Sequence, residues 1–543
     1  MIYHFILFPL FLLAIISLGA FFSYLLAEVM HLHEGIIDDL SIQGIVGLFF
    51  LGMVGVVFNF FLPLASQVFL GMIGTCIVAG GIILIKEKVR FLASDIFVFV
   101  LISVILAPLA GVLAPGYDGG LYHLPQQLWL RNESIVVGLA NLHGRFGFGS
   151  LYEYISAPLW IKEQFTMLSY LQVSFLVYFL FFLIKQVRIS RGTHLILLLG
   201  VTVNLALFSG YLNLVYTLTD IPSGLIFSSA FIYGHWLLFR EEVVQRGEWT
   251  VFAILLLSAV FYKLSAAILI FWMIFVLLYR ISSAKDSVRE CILGLAIPIC
   301  ILLIFLIKNF ITTGCVLYPE VASCLDVSWA ATKNAINDAN WVTAWARHPR
   351  SGLYSLQDTS WFLNWWFPNN QVFLVKLLKA GLSVGVLYAG VALITRFRSF
   401  KILDIRLWAA VVFALLSFSF WFLKAPTPRF GIGAFILLFP VLFLFLHASV
   451  FEETEKLRKF LQMIAVFAVM IFVCRIGEPW KRVSFENALT FNALTVPKKE
   501  VKKDPVYGVR PKKGDQCWTV PECAPYGRPP KSSWHGRTTF YSN

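Results

Sequence analysis

Long apolar runs separated by short polar segments make up most of the chain. The runs lie near 5–27, 44–62, 66–85, 94–114, 167–184, 193–211, 222–239, 250–280, 289–308, 371–395, 405–423, 430–448 and 459–475. A membrane-spanning helix needs about 20 predominantly apolar residues. Only 13% of the residues are charged, whereas soluble domains carry about 25%. The pattern predicts an all-α polytopic membrane protein with about 13–14 transmembrane helices, whose first partner is the lipid bilayer.

Basic loops predict how the spans are oriented. They lie near 86–90, 185–191, 240–246, 280–289, 396–401 and 456–459. The positive-inside rule places all of them in the cytoplasm, which requires an even number of crossings between successive loops. The run 250–280 meets this requirement only as two short helices or a re-entrant hairpin, with its tip at 262–265. Lys263 supports such a tip, because a lysine within an apolar run should line a polar cavity.

Composition divides the chain into three parts. We expect accessory transmembrane helices in residues 1–90 and an integral core in residues 91–475, with outward loops 115–166 and 309–370. Residues 476–543 form an outward tail with 12 basic and 6 acidic residues, too polar for a large core. The net charge of +13 does not point to nucleic acid, because most of the basic residues lie in short loops and in this tail.

Four cysteines lie in polar segments that the topology places on the outer face. Cys315 and Cys324 share the long loop, and Cys517 and Cys523 share the tail. Close pairs of this kind predict two local disulfides and therefore an oxidising compartment. The alternative is a metal site, which C-x-x-C spacing and nearby histidines would favour and which neither pair shows.

Candidate chemistry concentrates in a polar island that follows the fourth apolar run. Asp118, His123, Asn141, His143, Arg145 and Glu153 lie within 36 residues. Ionisable groups at a membrane boundary are costly to place, which favours a functional role. Asp118 could be a general base whose pKa is raised by partial burial. The alternative is an N-cap for an interfacial helix over 121–131, which the spacing of Leu121, Leu124 and Leu128 predicts.

The remaining polar residues of the island suit recognition of an anionic sugar substrate. Arg145 is a permanent cation with a planar fork that fits phosphate, and Asn141 and His143 could hydrogen-bond a sugar or a pyrophosphate. The alternative is a loop held by its own side chains. His123 could share the site of Asp118 or cap the interfacial helix, and Glu153 could support either arrangement.

Further candidate residues lie in later parts of the chain. Lys263 could bind a lipid phosphate, or it could form an ion pair with a buried carboxylate such as Asp220. Asp220 could support the site or act as the N-cap of a helix with Pro222 in its first turn. Arg429 lies in a turn fixed by two prolines, where either phosphate binding or interfacial anchoring is plausible.

Several segments resemble a family of bacterial multi-pass membrane proteins close to the glycosyltransferase C (GT-C) superfamily of polyprenyl-phosphate-sugar-dependent transferases. The resemblance rests on YDGGLYHL at 117–124, GLANLHGR at 138–145, KLS at 263–265, APTPRFG at 425–431 and GDQCW at 514–518. In that superfamily the first outward loop carries an essential acidic residue, and the donor is held through its lipid phosphate. Asp118 matches the acidic position.

The resemblance implies a GT-C-like core and a hexosyl or pentosyl transferase of the bacterial inner membrane with an extracytoplasmic active face. Its donor would be a polyprenyl-phosphate sugar, and its acceptor a surface glycan or lipid-linked precursor. Asp118 would be the catalytic base, while Arg145, Lys263 and Arg429 would stabilise the leaving phosphate. No second acidic residue adjoins Asp118 in the sequence, so we expect no required cofactor and assign no metal ligands, while a divalent metal stays possible without support from the sequence.

Two other functions remain compatible with the sequence. An oligosaccharide polymerase or ligase with a pyrophosphate-linked donor would depend on the arginines more than on Asp118. A non-catalytic lipid or glycan transporter would need several charged residues at mid-membrane, and few are visible beyond Lys263. The sequence lacks a Walker motif, which leaves ATP-driven transport without a signal.

Overall fold

The computed structural model describes the chain except residues 1, 32–38, 87–92, 112–114, 162–163, 209–218, 349–352, 354–355, 366–369, 396–403, 448–453, 477–499, 505–507, 522, 524–530, 535–536 and 542–543. Its helices are α1 (Ile2–Met30), α2 (Leu40–Asn59), α3 (Gln67–Lys86), α4 (Ala93–Leu106), α5 (Leu124–Asn132), α6 (Leu151–Ser156), α7 (Thr166–Ile189), α8 (Gly192–Phe208), α9 (Asp220–Phe239), α10 (Arg246–Tyr262), α11 (Leu269–Ser282), α12 (Val288–Thr313), α13 (Thr332–Arg347), α14 (Trp361–Trp365), α15 (Gln371–Thr395), α16 (Ile405–Lys424), α17 (Ile432–His447) and α18 (Glu455–Ile476). Two antiparallel hairpins follow, β1 (Val501–Asp504) with β2 (Gly508–Pro511) and β3 (Lys531–Trp534) with β4 (Arg537–Phe540).

The predicted fold class is confirmed. In the described part of the chain, 12 helices are long and apolar enough to cross a membrane. The helices α8 and α10 have 17 residues each and lie beside these spans in the same bundle. The protein is therefore an all-α polytopic membrane protein.

The run 250–280 folds as two antiparallel helices. Lys263 is extended, with φ −157° and ψ 123°, and separates α10 from the short 3-10 turn that leads into α11. The Ser223 hydroxyl near the start of α9 donates to the carbonyl of Ala259 near the end of α10 (3.1 Å). Arg280 at the end of α11 donates to the carbonyl of Arg240 after α9 (2.6 Å). The chain thus returns to the side from which α10 began, as the parity of the basic loops requires.

The basic loops that the structure describes meet at one face of the bundle. We call it the basic face and define it by Lys185, Arg188, Arg240, Arg246, Arg280 and Arg406. Lys185 and Arg188 both pair with Asp95 of α4 (2.9 and 2.8 Å), and the guanidinium of Arg406 lies over the ring of Phe239 (4.4 Å). The predicted basic loop 396–401 and residues 87–90 of another lie outside the described residues.

The polar segments collect at the opposite face, which we call the site face. It comprises the described parts of the island 115–166, of the loop around α13, of the turn 425–431 and of the tail. The helix α1 runs from the site face to the basic face. Its end lies at the basic face, because Arg246 donates to the carbonyl of Met30 (2.8 Å). At the start of α1, His4 hydrogen-bonds to Tyr170 (2.8 Å) near the start of α7.

The helices of residues 1–90 are part of the same core as the rest of the bundle. One continuous cluster of buried hydrophobic side chains runs from Phe8 to Ile476. A Cβ atom at Gly47 would lie 2.0 Å from the carbonyl oxygen of Ile15, and one at Gly44 would lie 2.3 Å from the ring of Tyr178. Small residues of this kind let helix backbones approach closely in a membrane, and here they seat α2 between α1 and α7.

Candidate functional site

Asp118 lies just before a π-helical turn, Gly119–His123, which leads directly into α5. Its side chain makes no capping hydrogen bond to this turn. The carboxylate is instead 2.9 Å from Nη1 of Arg429, 311 residues further along the chain. The N-cap role that the sequence left open is therefore not what this side chain does.

Asp118 belongs to a cluster of alternating charges at the site face. Nε of Arg429 lies 3.6 Å from a carboxylate oxygen of Asp220, and Asp220 forms an ion pair with Lys263. We call Asp118, Arg429, Asp220 and Lys263 the four-charge cluster. The Asp118 turn, the start of α9, the end of α10 and the turn before α17 each contribute one member.

Two sequence-based interpretations of Asp220 and Lys263 are decided by this arrangement. The ion pair between them is the alternative that we left open for Lys263. Asp220 is the first residue of α9 rather than its N-cap, since that position is taken by Thr219, which makes no side-chain cap hydrogen bond. Of the two alternatives left open for Asp220, the N-cap role is therefore not the one that the structure shows. In the folded chain Asp220 supplies the second carboxylate that the sequence beside Asp118 lacks.

The four-charge cluster is partly open to solvent and incompletely hydrogen-bonded. The side chains of Asp118 and Arg429 are 19% and 31% exposed, and that of Asp220 is 7% exposed. Nε of Arg429 is buried and has no hydrogen-bond partner among the described residues. Because two carboxylates balance two cations, an anionic ligand at Arg429 or Lys263 would compete with a carboxylate for the same cation.

Aromatic rings border the two cations of the cluster. The guanidinium of Arg429 lies 5.1 Å from the ring centre of Trp345 on α13. Nζ of Lys263 lies 3.4 Å from the ring centre of Phe430. Trp345 lies in the long loop 309–370, whose aromatic residues could either stack on sugars or form an interfacial belt, the latter being favoured by composition. Its contact with Arg429 brings α13 to the edge of the cluster.

His123 takes part in a chain of buried hydrogen bonds behind the Asp118 turn. Its Nδ1 is 2.5 Å from Glu153, the other oxygen of Glu153 accepts from Gln127 (2.7 Å), and Gln127 accepts from the indole of Trp160 (2.8 Å). Burial lowers the pKa of His123, but the attraction of Glu153 and, further away, of Asp118 outweighs it, so that the pKa lies above its usual value. The pair is thus biased towards an imidazolium held by a carboxylate.

Tyr122 connects the four-charge cluster with the region of Arg145. Burial is the main reason why the pKa of its phenol lies above the usual value, and the charge of Asp118 raises it further. The charges of Arg145 and Arg429 act in the opposite direction. The charges of both arginines therefore act on the same hydroxyl.

Arg145 itself is paired with the long loop. Its Nε lies 3.4 Å from the carboxylate of Asp338 on α13, and its guanidinium lies 5.3 Å from the ring centre of Phe148. Asp338 also accepts a hydrogen bond from the hydroxyl of Tyr318 (2.7 Å). These contacts fasten α13 to the island, so that phosphate binding by Arg145 would compete with a carboxylate.

Asn141 and His143 make contacts that hold the island together. Asn141 donates to the carbonyl of Trp329 (2.8 Å), and Nδ1 of His143 accepts from the backbone N–H of Arg145 (3.1 Å). Burial, with a smaller effect of Arg145, lowers the pKa of His143 to about 3. His143 is therefore neutral and offers no positive charge to a phosphate. Asn141 and His143 therefore fit the alternative given above, in which the loop is held by its own side chains.

The structure links Cys315 to Cys324 and Cys517 to Cys523. The first disulfide lies in the loop that precedes α13. The second closes a short loop of the tail next to Trp518, whose backbone N–H donates to the carbonyl of Gly120 (2.8 Å) in the π-helical turn after Asp118. The tail therefore reaches the candidate site.

Lys308 is fully buried near the end of α12 and is not among the residues that the sequence marked as candidates. Its Nζ donates to the carbonyl of Gly149 (2.6 Å) and lies 4.2 Å from the ring centre of Phe305. Gly149 has a positive φ of 49°, and a Cβ there would lie 2.3 Å from this Nζ. The signal that could have found Lys308 is a lone lysine at the end of an apolar run, the same signal that marked Lys263.

The chain belongs to the family described as Domain of unknown function (DUF8201), whose model matches residues 1–436. The match includes all four residues of the four-charge cluster and also residues 1–90. No curated protein and no solved structure matches the chain significantly.

Proposed function

We propose that this protein is a glycosyltransferase of the bacterial inner membrane that moves a sugar from a polyprenyl-phosphate donor to a glycan acceptor at its site face. The observation that carries the proposal is the four-charge cluster, which combines a carboxylate that can accept a proton with two cations that suit a phosphate. The placement of Asp118 in an outward loop, where GT-C enzymes carry an essential acidic residue, supports its role as the base. In this proposal the site face is extracytoplasmic.

The donor phosphate would bind where carboxylates now lie. Arg429 offers an unsatisfied Nε beside an Nη1 that donates to Asp118, and a guanidinium binds phosphate best through two parallel hydrogen bonds. Lys263 would add a second positive charge from the opposite side of Asp220. Binding of the phosphate to Arg429 would therefore release Asp118 from its ion pair.

The released carboxylate of Asp118 would then act as general base. It takes the proton of an acceptor hydroxyl while the acceptor oxygen forms a bond to the anomeric carbon of the sugar. The bond between that carbon and the phosphate oxygen breaks, and the electron pair leaves with the polyprenyl phosphate. Arg429 and Lys263 stabilise the negative charge on this leaving group, an electrostatic contribution that is usually large.

Because Arg429 would leave Asp118 for the donor phosphate, Asp118 would act as a base only when the donor is bound. While Arg429 donates to Asp118 (2.9 Å), the carboxylate is occupied by an ion pair. Once the donor phosphate takes Arg429, Asp118 would be free to accept the proton of the acceptor hydroxyl next to the sugar. Trp345, which lies over Arg429, would cover the donor sugar from the side of α13.

Mass spectrometry of surface and lipid-linked glycans tests this function. A strain that lacks the gene should lose one sugar, and wild type should restore it while Asp118→Asn at equal expression should not. Asp404→Asn is the matched control, because Asp404 pairs with Arg406 and caps α16 on the basic face, and it should restore the glycan. Full restoration by Asp118→Asn would refute the catalytic role of Asp118, and an unchanged glycan in the deletion strain would refute glycosyl transfer.

A further inference from the structure

The tail holds the Asp118 turn on both sides of the carboxylate. On one side the phenol of Tyr117 hydrogen-bonds to Asp515, and the side-chain amide of Gln516 donates to the carbonyl of Tyr117 (3.0 Å). On the other side the backbone N–H of Trp518 donates to the carbonyl of Gly120 (2.8 Å). The residues directly before and two positions after Asp118 are therefore bound by three neighbouring tail residues.

The side chain of Trp518 packs against the turn that follows Asp118. It is 7% exposed and lies in a hydrophobic cluster with Leu124, Trp160, Phe165 and Leu168. Its ring also covers Gly120 so closely that a Cβ there would lie 2.4 Å from the indole. Only glycine at position 120 permits this contact, so the turn and the tail fit each other at this position.

The Cys517–Cys523 disulfide constrains the loop that carries Trp518. Trp518 has a positive φ of 52°, a conformation that costs a bulky residue free energy and persists where the surroundings enforce it. The disulfide on one side and the contacts to Gly120 on the other supply that enforcement. Further along the tail, the backbone N–H of Phe540 donates to the carbonyl of Val137 (2.9 Å), and its fully buried ring packs on Trp129, which gives the tail a second attachment.

We propose that Trp518 is a positioning residue for Asp118 and that it works only while the Cys517–Cys523 disulfide is closed. The inference rests on the proposed function, in which the donor phosphate takes Arg429 away from Asp118. From that moment the ion pair no longer holds the carboxylate, whereas the tail still binds the backbone on both sides of it. The tail residues that bind the Asp118 turn lie beyond residue 436, where the family match ends.

The first test compares variants at position 518 by the rate at which cells incorporate the sugar that the deletion strain lacks, normalised to protein amount. Trp518→Ala should reduce this rate on the order of 10²-fold, since misplacing a reacting group by about 1 Å can have such an effect. Trp518→Phe, which still fills the pocket, should retain most of the rate. Trp408→Ala, an exposed tryptophan of α16, is the matched control and should be unaffected. Wild-type rate in Trp518→Ala would overturn the positioning role.

A second set of variants tests the contact and the disulfide without removing the tryptophan. Gly120→Ala should lower the rate in the wild-type background but have little further effect in Trp518→Ala, because the added Cβ then meets no indole. The double variant Cys517→Ser/Cys523→Ser should lose activity as Trp518→Ala does, whereas Cys300→Ser/Cys474→Ser, exposed on α12 and α18, should not. Additive losses at 120 and 518, or full activity without the tail disulfide, would contradict the proposal.

Docking of the tail can be measured apart from transfer. With the photo-cross-linker p-benzoylphenylalanine at position 518, mass spectrometry of the full chain in membranes should find a cross-link to the segment 117–124. The cross-link should disappear in the Cys517→Ser/Cys523→Ser background. If wild type transfers no sugar but the cross-link forms, the proposed function and the positioning role are refuted, whereas docking of the tail on the Asp118 turn is supported. If wild type is active and the cross-link is absent, the proposed function is retained and the positioning of Asp118 by the tail is refuted.

Discussion

Two arginine–aspartate pairs lie at opposite faces of this protein and differ in how completely they are satisfied. On the basic face, Arg280 is fully buried and makes two hydrogen bonds to Asp286, both 2.8 Å long. It also donates to the carbonyls of Arg240 and Glu242 (2.6 Å each). Buried charges persist when they are paired and hydrogen-bonded in this way. This pair ties the loops after α9 and α11 together.

On the site face, Arg429 makes a single hydrogen bond to Asp118 and leaves Nε without a partner among the described residues. Its side chain is 31% exposed and shares its charge between two carboxylates. A buried donor without a partner is costly unless a ligand completes it. The comparison indicates that the Arg280 pair serves stability, and the open Nε of Arg429 agrees with the proposal that Arg429 exchanges partners.

The largest effect that would sharpen this contrast is expected at Arg280. Arg280→Met removes one partner of a buried pair and leaves Asp286 without its cation, with only the backbone N–H of Val244 still donating to it (3.0 Å). This loss should lower the free energy of unfolding by about 3–5 kcal/mol. Denaturant unfolding of the purified protein in detergent measures this change. An unfolding free energy within about 1 kcal/mol of wild type would mean that the basic face does not depend on this pair.

A comparable effect on activity, but not on stability, is expected at Arg429. Arg429→Gln should reduce sugar transfer by about 10²–10³-fold, the usual loss when one donor to a developing oxyanion is removed. Arg406→Gln is the matched control on the basic face, where Arg406 pairs with Asp404, and it should keep its transfer rate. The contrast would break down if Arg429→Gln unfolded the protein as Arg280→Met does while the remaining folded fraction stayed active.

The smallest effect concerns the pH dependence of stability through His123. Because Glu153 holds the pKa of His123 above its usual 6.5, the folded state binds the proton more tightly than the unfolded state. The stabilisation is fully present below pH 6.5 and is lost as pH rises through the raised pKa. His123→Gln should flatten the stability profile at pH values above 6.5, as followed by thermal unfolding in detergent. An unchanged slope would contradict the assigned ion pair.

Much of the fold could be predicted because membrane insertion is governed by local features. The length of each apolar run sets where a helix can span, and the basic loops set its direction. The break at Lys263 follows from the parity of those loops. The two disulfides join cysteines only 9 and 6 positions apart, so that proximity along the chain already suggested the pairs.

The candidate site was only partly predictable. The sequence marked Asp118, Lys263 and Arg429 as polar groups at membrane boundaries, but it could not show which of them meet. It also could not show that Arg145 is paired with Asp338 or that His143 is neutral. The sequence assigned no individual role to Trp345 or Trp518, because one lies among aromatic residues typical of an interfacial belt and the other in a polar tail. Only their contacts with Arg429 and Gly120 distinguish them.

By itself, the sequence determined that this protein is a helical bundle in a membrane with polar chemistry gathered at one face, since these properties depend on hydrophobicity and charge within short segments. Only the tertiary structure decided that Asp118 meets Arg429 across 311 residues, that Asp220 lies between the two cations, and that the tail returns to the Asp118 turn. Such pairings depend on how the helices pack against one another, and close packing is a property of the whole bundle rather than of any one segment.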